Sequence, residues 1–181
     1  MVVFQQLANE DWQRLRDIRL NALQESPDDF LSAYSKEEKF SAERWQAEFT
    51  RGEWTIGSID GRDVCLLGVT REEHTPPSEC WLEYMWVAPA YRGQGIAFIL
   101  VAHAMNRLFQ NGVELIRLWV LNGNNRAVSL YKSLRFEFNG EESPLDDFGK
   151  PGRREQQMDL ELTQEILDEA RRRPVPALAV N

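Results

Sequence analysis

The stretch Val87-Ala-Pro-Ala-Tyr-Arg92-Gly-Gln-Gly95-Ile-Ala97 lies between a segment that reads as a strand and the longest helical pattern of the chain. Two glycines at a strand-to-helix turn permit unusual backbone dihedrals and close approach, so successive N–H groups at the helix start can converge on an anion such as a phosphate. Arg92 adds a fixed charge with several donors, suited to pyrophosphate oxygens. The pattern lacks the Gly-Lys-Ser/Thr of a Walker A loop and the third glycine of a dinucleotide fingerprint, and a ligand-free tight turn is the competing reading of the glycines alone. Glu83 is the second candidate, set within Trp81-Leu-Glu83-Tyr-Met-Trp86. A carboxylate among apolar residues is costly to bury unpaired, which points either to proton chemistry or to a salt-bridged strand-edge residue. Strict alternation puts Glu83 on one face with Met85 and Val87 and turns Tyr84 the other way, into packing. Cys65, Cys80, His74 and His103 do not have the spacing of a metal cage; buried thiols and no metal centre are expected.

These groups need elements to hold them. Val2 to Leu7 reads as a strand, and Asn9 as the N-cap of an amphipathic helix from Glu10 to about Gln24. Residues 25–39 look irregular, and Ser41 opens a short helix carrying Trp45 and Phe49 inward. Trp54–Ile59, a turn at Gly61 and Val64–Thr70 form a hairpin, followed by a strand over Cys80–Val87. From Gly93 the period becomes helical, with Phe98, Val101, Ala102, Met105, Leu108 and Phe109 on one face and a stop at Asn111-Gly112. Val113–Leu121 has the two-faced apolarity of a central strand. Asn124 then caps a helix that puts Ala127, Leu130, Tyr131 and Leu134 on one face. Phe136–Phe138 and Arg154–Leu162 supply two late strands, a helix covers Thr163–Arg173, and the chain from Pro174 reads as a frayed tail. The expected architecture is α/β (α+β): a mixed central sheet of six to seven strands with helices on both faces, in one domain over residues 1–162, with residues 163–181 as a terminal helix and flexible tail.

The 181 residues, 43% hydrophobic, suit one such domain. A net charge of −8 argues against a nucleic-acid surface, and no apolar run approaches the ~20 residues of a membrane span. No basic segment precedes a long apolar stretch at the start, so a cytoplasmic location is the expectation.

The residues from Val87 to Ala97, followed by Asn124-x-x-Ala127-x-x-x-Tyr131, resemble the GCN5-related N-acetyltransferase (GNAT) superfamily. Arg92-x-x-Gly95-x-Ala97 is similar to its acetyl-coenzyme A (acetyl-CoA) pyrophosphate signature, and Asn124 to Phe136 to its next motif. The one departure is Arg135, where the family usually has glycine. The resemblance implies a splayed strand pair forming the acetyl-CoA cleft, with the amides of Arg92, Gly93, Gln94, Gly95, Ile96 and Ala97 on the pyrophosphate. Met85 and Val87 would lie along the pantetheine arm, with Asn124, Ala127 and Tyr131 beside it. It further implies direct acetyl transfer to a primary amine, with Tyr131 as general acid toward the leaving thiolate. A phenol suits that task, and a core aromatic with a satisfied hydroxyl is the alternative. Such a transfer also needs a neutral amine and a proton acceptor, and Glu83 is the candidate, directly or through water.

The acceptor pocket in this superfamily comes from the first two helices, their loop and the late strands. Here that implies Phe30, Tyr34 and Trp54, with Trp45 and the carboxylates of Asp28, Asp29, Glu37 and Glu38 nearby. An aromatic, acidic mouth would draw in an alkylammonium or a basic peptide end, whereas loop carboxylates are usually solvated surface. The acceptor is therefore expected to be an amine of a small molecule or peptide. Dimers are common in the superfamily, so a homodimer is compatible with the chain. A non-catalytic acyl-CoA sensor with the same cradle is the alternative function, and a purely structural domain a third.

Overall fold

The computed structural model describes residues 1–173; the tail expected from Pro174 lies outside them. Seven strands form one mixed sheet: β1 (Val3–Gln6), β2 (Gly52–Ile59), β3 (Arg62–Thr70), β4 (Glu79–Val87), β5 (Leu115–Leu121), β6 (Glu137–Pro144) and β7 (Arg154–Glu161). Their order is β1-β2-β3-β4-β5-β7-β6, and β4–β5 is the single parallel pair among antiparallel neighbours. The helices are α1 (Trp12–Glu25), α2 (Tyr34–Glu37), α3 (Ala42–Arg51), α4 (Ile96–Gln110), α5 (Asn125–Ser133) and α6 (Gln164–Arg172).

A parallel pair needs a crossover connection, and α4 supplies it between β4 and β5. Val101, Ala104, Met105 and Leu108 of α4 bury against Leu67, Leu82, Ile116 and Leu118 of the sheet, in a core that Leu167 of α6 also joins. On the opposite face Leu15, Ile18 and Leu23 of α1 and Trp45 of α3 pack on Trp54, Ile56, Leu66 and Trp86. Burying a side chain of this size contributes about 1.5–3 kcal/mol, so the two apolar layers together clamp the sheet that carries the site.

Three sequence expectations change. Asn9 does not cap α1. It begins a short 3-10 turn, Asn9–Asp11, and Asp11 instead accepts the Ala8 N–H at 2.9 Å. The irregular segment before α3 contains α2. The sixth strand continues past Phe138 to Pro144, through a segment exposed on both faces at the sheet edge, where no inward phase marks it.

Candidate active site

The parallel pair of the sheet separates partway along. Its register holds at Glu79–Leu115, Cys80–Ile116 and Trp81–Arg117 and stops there, although β4 runs on to Val87 and β5 to Leu121. Trp81 and Trp119 stack across the start of the opening, with ring centroids 6.3 Å apart and planes within 5°. Beyond them lies a cavity of about 520 Å³, within the range typical of small-molecule sites. Glu83, Tyr84 and Met85 line it from β4, and Leu121, Asn124, Ala127 and Tyr131 from β5 and α5.

A bulge aims the β4 residues. Leu66 faces Trp86 and Gly68 faces Glu83, so Leu67 alone stands opposite Tyr84 and Met85. Tyr84 takes up the extra residue at φ +58, a left-handed conformation that is strained for a bulky side chain. The alternation expected for β4 is thereby reversed. Glu83 and Tyr84 both face the α1–α3 side, where Tyr84 packs on Trp54 at 4.8 Å, while Met85 and Val87 turn to the α4 side. Gly68 makes room, since a Cβ there would stand 2.8 Å from Tyr84 Cδ2 and 3.1 Å from Trp54 Cζ3. Thus Glu83 does not share a face with Met85 and Val87, and Tyr84 is part of the cavity wall. Glu83 is also exposed rather than buried among its apolar neighbours, and its carboxylate accepts the Thr70 hydroxyl at 2.6 Å.

The turn ahead of α4 has free donors. Gly93 and Gly95 sit at φ +76 and +79, and the first intrahelical bond runs from Ile99 N–H to the Gly95 carbonyl at 3.1 Å. The N–H groups of Ile96, Ala97 and Phe98 precede that bond, and among the described residues no side chain caps them and nothing stands within 4 Å of a Cβ built on Gly93. Side chains here are otherwise engaged: Gln94 donates to the Ala90 carbonyl, and Ile96 is buried in the core. Arg92 departs from expectation. Its Nε donates to the Val87 carbonyl at 2.8 Å and its Nη atoms pair with Glu25, at the C-terminal end of α1. The guanidinium thus ties the end of β4 to α1 and is not left free for an anion.

Across the opening, Asn124 caps α5 by accepting the Ala127 N–H at 3.1 Å. Tyr131, 6% exposed, meets the Phe136 ring edge-on at 5.6 Å. Its hydroxyl makes no hydrogen bond among the described residues, and burial pushes its pKa up to about 12. Arg135, two residues after α5, adopts the conformation that glycine would supply, φ +73, and pairs with Glu169.

On the α1–α3 side, Phe30 and Trp54 line the cavity as expected, together with Phe40 and Trp45, but Tyr34 does not. Tyr34 packs into the core behind it. The expected acidic mouth is also different: Glu37 is buried and held bidentately by Arg19 at 3.0 and 2.9 Å, and Asp28 and Glu38 are not in the wall.

One functional candidate had escaped the sequence. Glu155, the first acidic residue of β7, is 8% exposed, lines the cavity and has no side-chain hydrogen bond among the described residues. Register places it opposite Leu121, on the face that carries Trp119 and Glu83. Burial first, and the charge of Glu83 second, raise its pKa. The signal was the polar phase of β7, in which Glu155 precedes Gln157, Asp159 and Glu161. That phase reads as a solvent face, yet at Glu155 it faces the cavity.

The profile of the Acetyltransferase (GNAT) family matches residues 12–136, more than two thirds of the chain. The chain belongs to the GNAT acetyltransferase family. This GNAT chain is 41% identical over 54 residues to the thialysine N-epsilon-acetyltransferase of Bos taurus, a match spanning 30% of this chain and 32% of that one. It is 39% identical over 74 residues to an uncharacterized protein of Mycobacterium leprae, 41% of this chain and 20% of the other. The matched stretches thus cover a third or less of these relatives. Its fold is that of a GNAT-family acetyltransferase from Streptococcus pneumoniae, with TM-score 0.74 and 15% identity over 90% of this chain and all of the other. The structure of yncA from Salmonella typhimurium with its cofactor acetyl-CoA is also similar, with TM-score 0.70 and 12% identity over 90% of this chain and 95% of the other.

Proposed function

We propose that this GNAT protein transfers an acetyl group from acetyl-CoA directly to a primary amine of a small molecule or peptide. The observation that carries the reading is the opening of β4 from β5 beyond Trp81, with the unbonded Tyr131 hydroxyl in its wall. The bovine relative's name and the acetyl-CoA in the yncA structure support the choice of donor and acceptor.

The residues present fit the cofactor. The N–H groups from Gly93 to Ala97 would hold the pyrophosphate in the open space before Gly93, as helix-start amides hold anions elsewhere. The unpaired edge of β4 around Met85 and Val87 would bond the pantetheine amides, with Asn124 and Ala127 on the other side. Acetyl-CoA would supply the acetyl group already activated as a thioester. Tyr131 is a neutral phenol at neutral pH, its pKa pushed up to about 12 by burial, so its hydroxyl carries a proton that it can donate to a departing thiolate. Glu83 and Glu155 face the same cavity and would take up the amine's proton, and burial raises the basicity of Glu155. Arg92 is a positioning residue that fixes Val87, and hence the start of the turn, against α1.

The test is mass spectrometry of an amine and peptide panel incubated with protein and acetyl-CoA, run beside thermal melts with CoA. An N-acetylated product and a CoA-induced rise in melting temperature are expected. A rise without product from any amine would favour the acyl-CoA sensor, and no rise would remove the cofactor assignment.

A further inference from the structure

Two buried donors in the cavity wall have no acceptor among the described residues. Arg19 of α1 is 4% exposed and lies between the rings of Phe30 and Tyr84, its guanidinium carbon 4.6 and 4.7 Å from their centroids. Nε and Nη2 serve Glu37, but Nη1 has no acceptor among the described residues. The same is true of Trp45 Nε1 on α3. Both residues line the cavity. The other two buried indoles of this core are satisfied: Trp54 Nε1 donates to the Glu48 carbonyl at 3.2 Å, and Trp86 Nε1 to Glu25 at 3.1 Å. Buried donors without partners are rare because each forfeits its hydration, so two on adjacent helices whose residues line one cavity point to an acceptor brought in from outside.

Charge divides the cavity in the same direction. On the α1–α3 side the cations Arg19, Lys36, Arg44 and Arg51 outnumber the carboxylates of Asp29, Glu37 and Glu48 by one. Glu48 is itself paired with Arg44 and Arg51. On the sheet side stand Glu83 and Glu155 with no cation among their lining neighbours from β4, β5 and β7. A molecule spanning the cavity would thus meet carboxylates at the β4–β5 opening and unsatisfied donors with one surplus positive charge at the far end.

We propose that the acceptor is an amino carboxylate, a small amino-acid-like zwitterion. Its amine lies at the β4–β5 opening beside Glu83 and Glu155, and its carboxylate reaches the donors of Arg19 and Trp45. This rests on the acetyltransferase reading and narrows its substrate class. It also replaces the purely cationic acceptor that an acidic mouth would select, because Glu37 is already neutralised by Arg19.

The experiment compares kcat/KM for matched pairs that differ by the carboxylate: L-lysine with cadaverine, L-ornithine with putrescine, and 4-aminobutyrate with propylamine. CoA-induced melting shifts are recorded on the same protein. At least one amino carboxylate is expected to exceed its partner amine ten-fold or more, the size of a charge-assisted hydrogen bond in a closed site. Trp45→Phe, which removes the N–H together with part of the indole, should shrink that ratio several-fold through KM. Arg19→Lys should shrink it further, and because Arg19 also holds Glu37 and Trp45 is itself buried in the core, melts of both variants separate a folding defect from a change in the ratio. Equal or better turnover of the decarboxylated amine in every pair overturns the proposal while the acetyltransferase reading stands. Acetylation confined to peptides, or a CoA shift with none of the amino carboxylates acetylated, overturns it as well. Absence of both turnover and CoA shift would instead sink the acetyltransferase reading beneath it.

Discussion

Burial acts in the same direction on Tyr131 and Glu155. For the phenol, burial holds the proton on; for the carboxyl, it raises the affinity for one. Tyr131→Phe should therefore lower turnover about 10²-fold or more, the typical contribution of a positioned acid, while the CoA-induced melting shift stays intact. Steady-state kinetics with parallel melts will check this. The Glu155 carboxyl lies above its ordinary value of 4.5, so the folded protein binds that proton more tightly than the unfolded chain does. Its ionised form accordingly opposes folding at neutral pH, and the opposition fades as pH falls through the folded pKa. Glu155→Gln should raise the melting temperature at neutral pH, lose that advantage in acid, and flatten the acidic limb of the activity profile; melts and rates across a pH series read both. Tyr131 and Asn124 were legible in the sequence because helical spacing fixes a side chain's face within one element. The Arg92 guanidinium was not, because its partner Glu25 lies 67 residues away and only the folded chain joins them.

At the scale of elements, hydrophobic period and capping residues located six of the seven strands and most helices to within a residue or two. They failed where geometry departs from period. The bulge in β4 inserts Tyr84 and reverses the faces after Glu83, a change invisible in a sequence whose apolar residues suit either face. Gly68 is its counterpart across the ladder. Gly68→Ala should cost about 1–3 kcal/mol, the range for overpacking a closed site, and should weaken acceptor turnover more than CoA binding. Chemical denaturation and kinetics would show both effects. Arg135 is the other element-level departure: the turn glycine of the family is replaced, yet the left-handed turn persists. Holding a non-glycine residue there costs about 1–2 kcal/mol, and the solvent-screened pair with Glu169 returns little of it. Arg135→Gly should be at least as stable as wild type, whereas Arg135→Val should be less stable by more than ~1 kcal/mol, as denaturant midpoints would register.

For the whole molecule, the mixed sheet with helices on both faces follows from the order of elements, and the single parallel pair is the origin of the site. Strands that pair antiparallel with both neighbours close the sheet, whereas β4 and β5 are joined through α4 and part once their common register ends. The opening sets Tyr131 and the two carboxylates around one cavity bounded on its far side by α1 and α3, while the α4 turn follows the far end of β4. The division of charge across that cavity was beyond the sequence, because Glu37 reads as a free acid until Arg19 is seen to hold it. The most direct measurement of the central claim is thiol release from acetyl-CoA by wild type, Tyr131→Phe and Gly95→Trp, each with an amine panel and a CoA melt. Gly95 sits at φ +79, so a tryptophan there strains the turn and crowds its amides. Thiol release by wild type, slowed in Tyr131→Phe with its CoA shift retained and absent in Gly95→Trp together with its shift, is the predicted result. Undiminished release by either variant would contradict the assignment of donor site and acid.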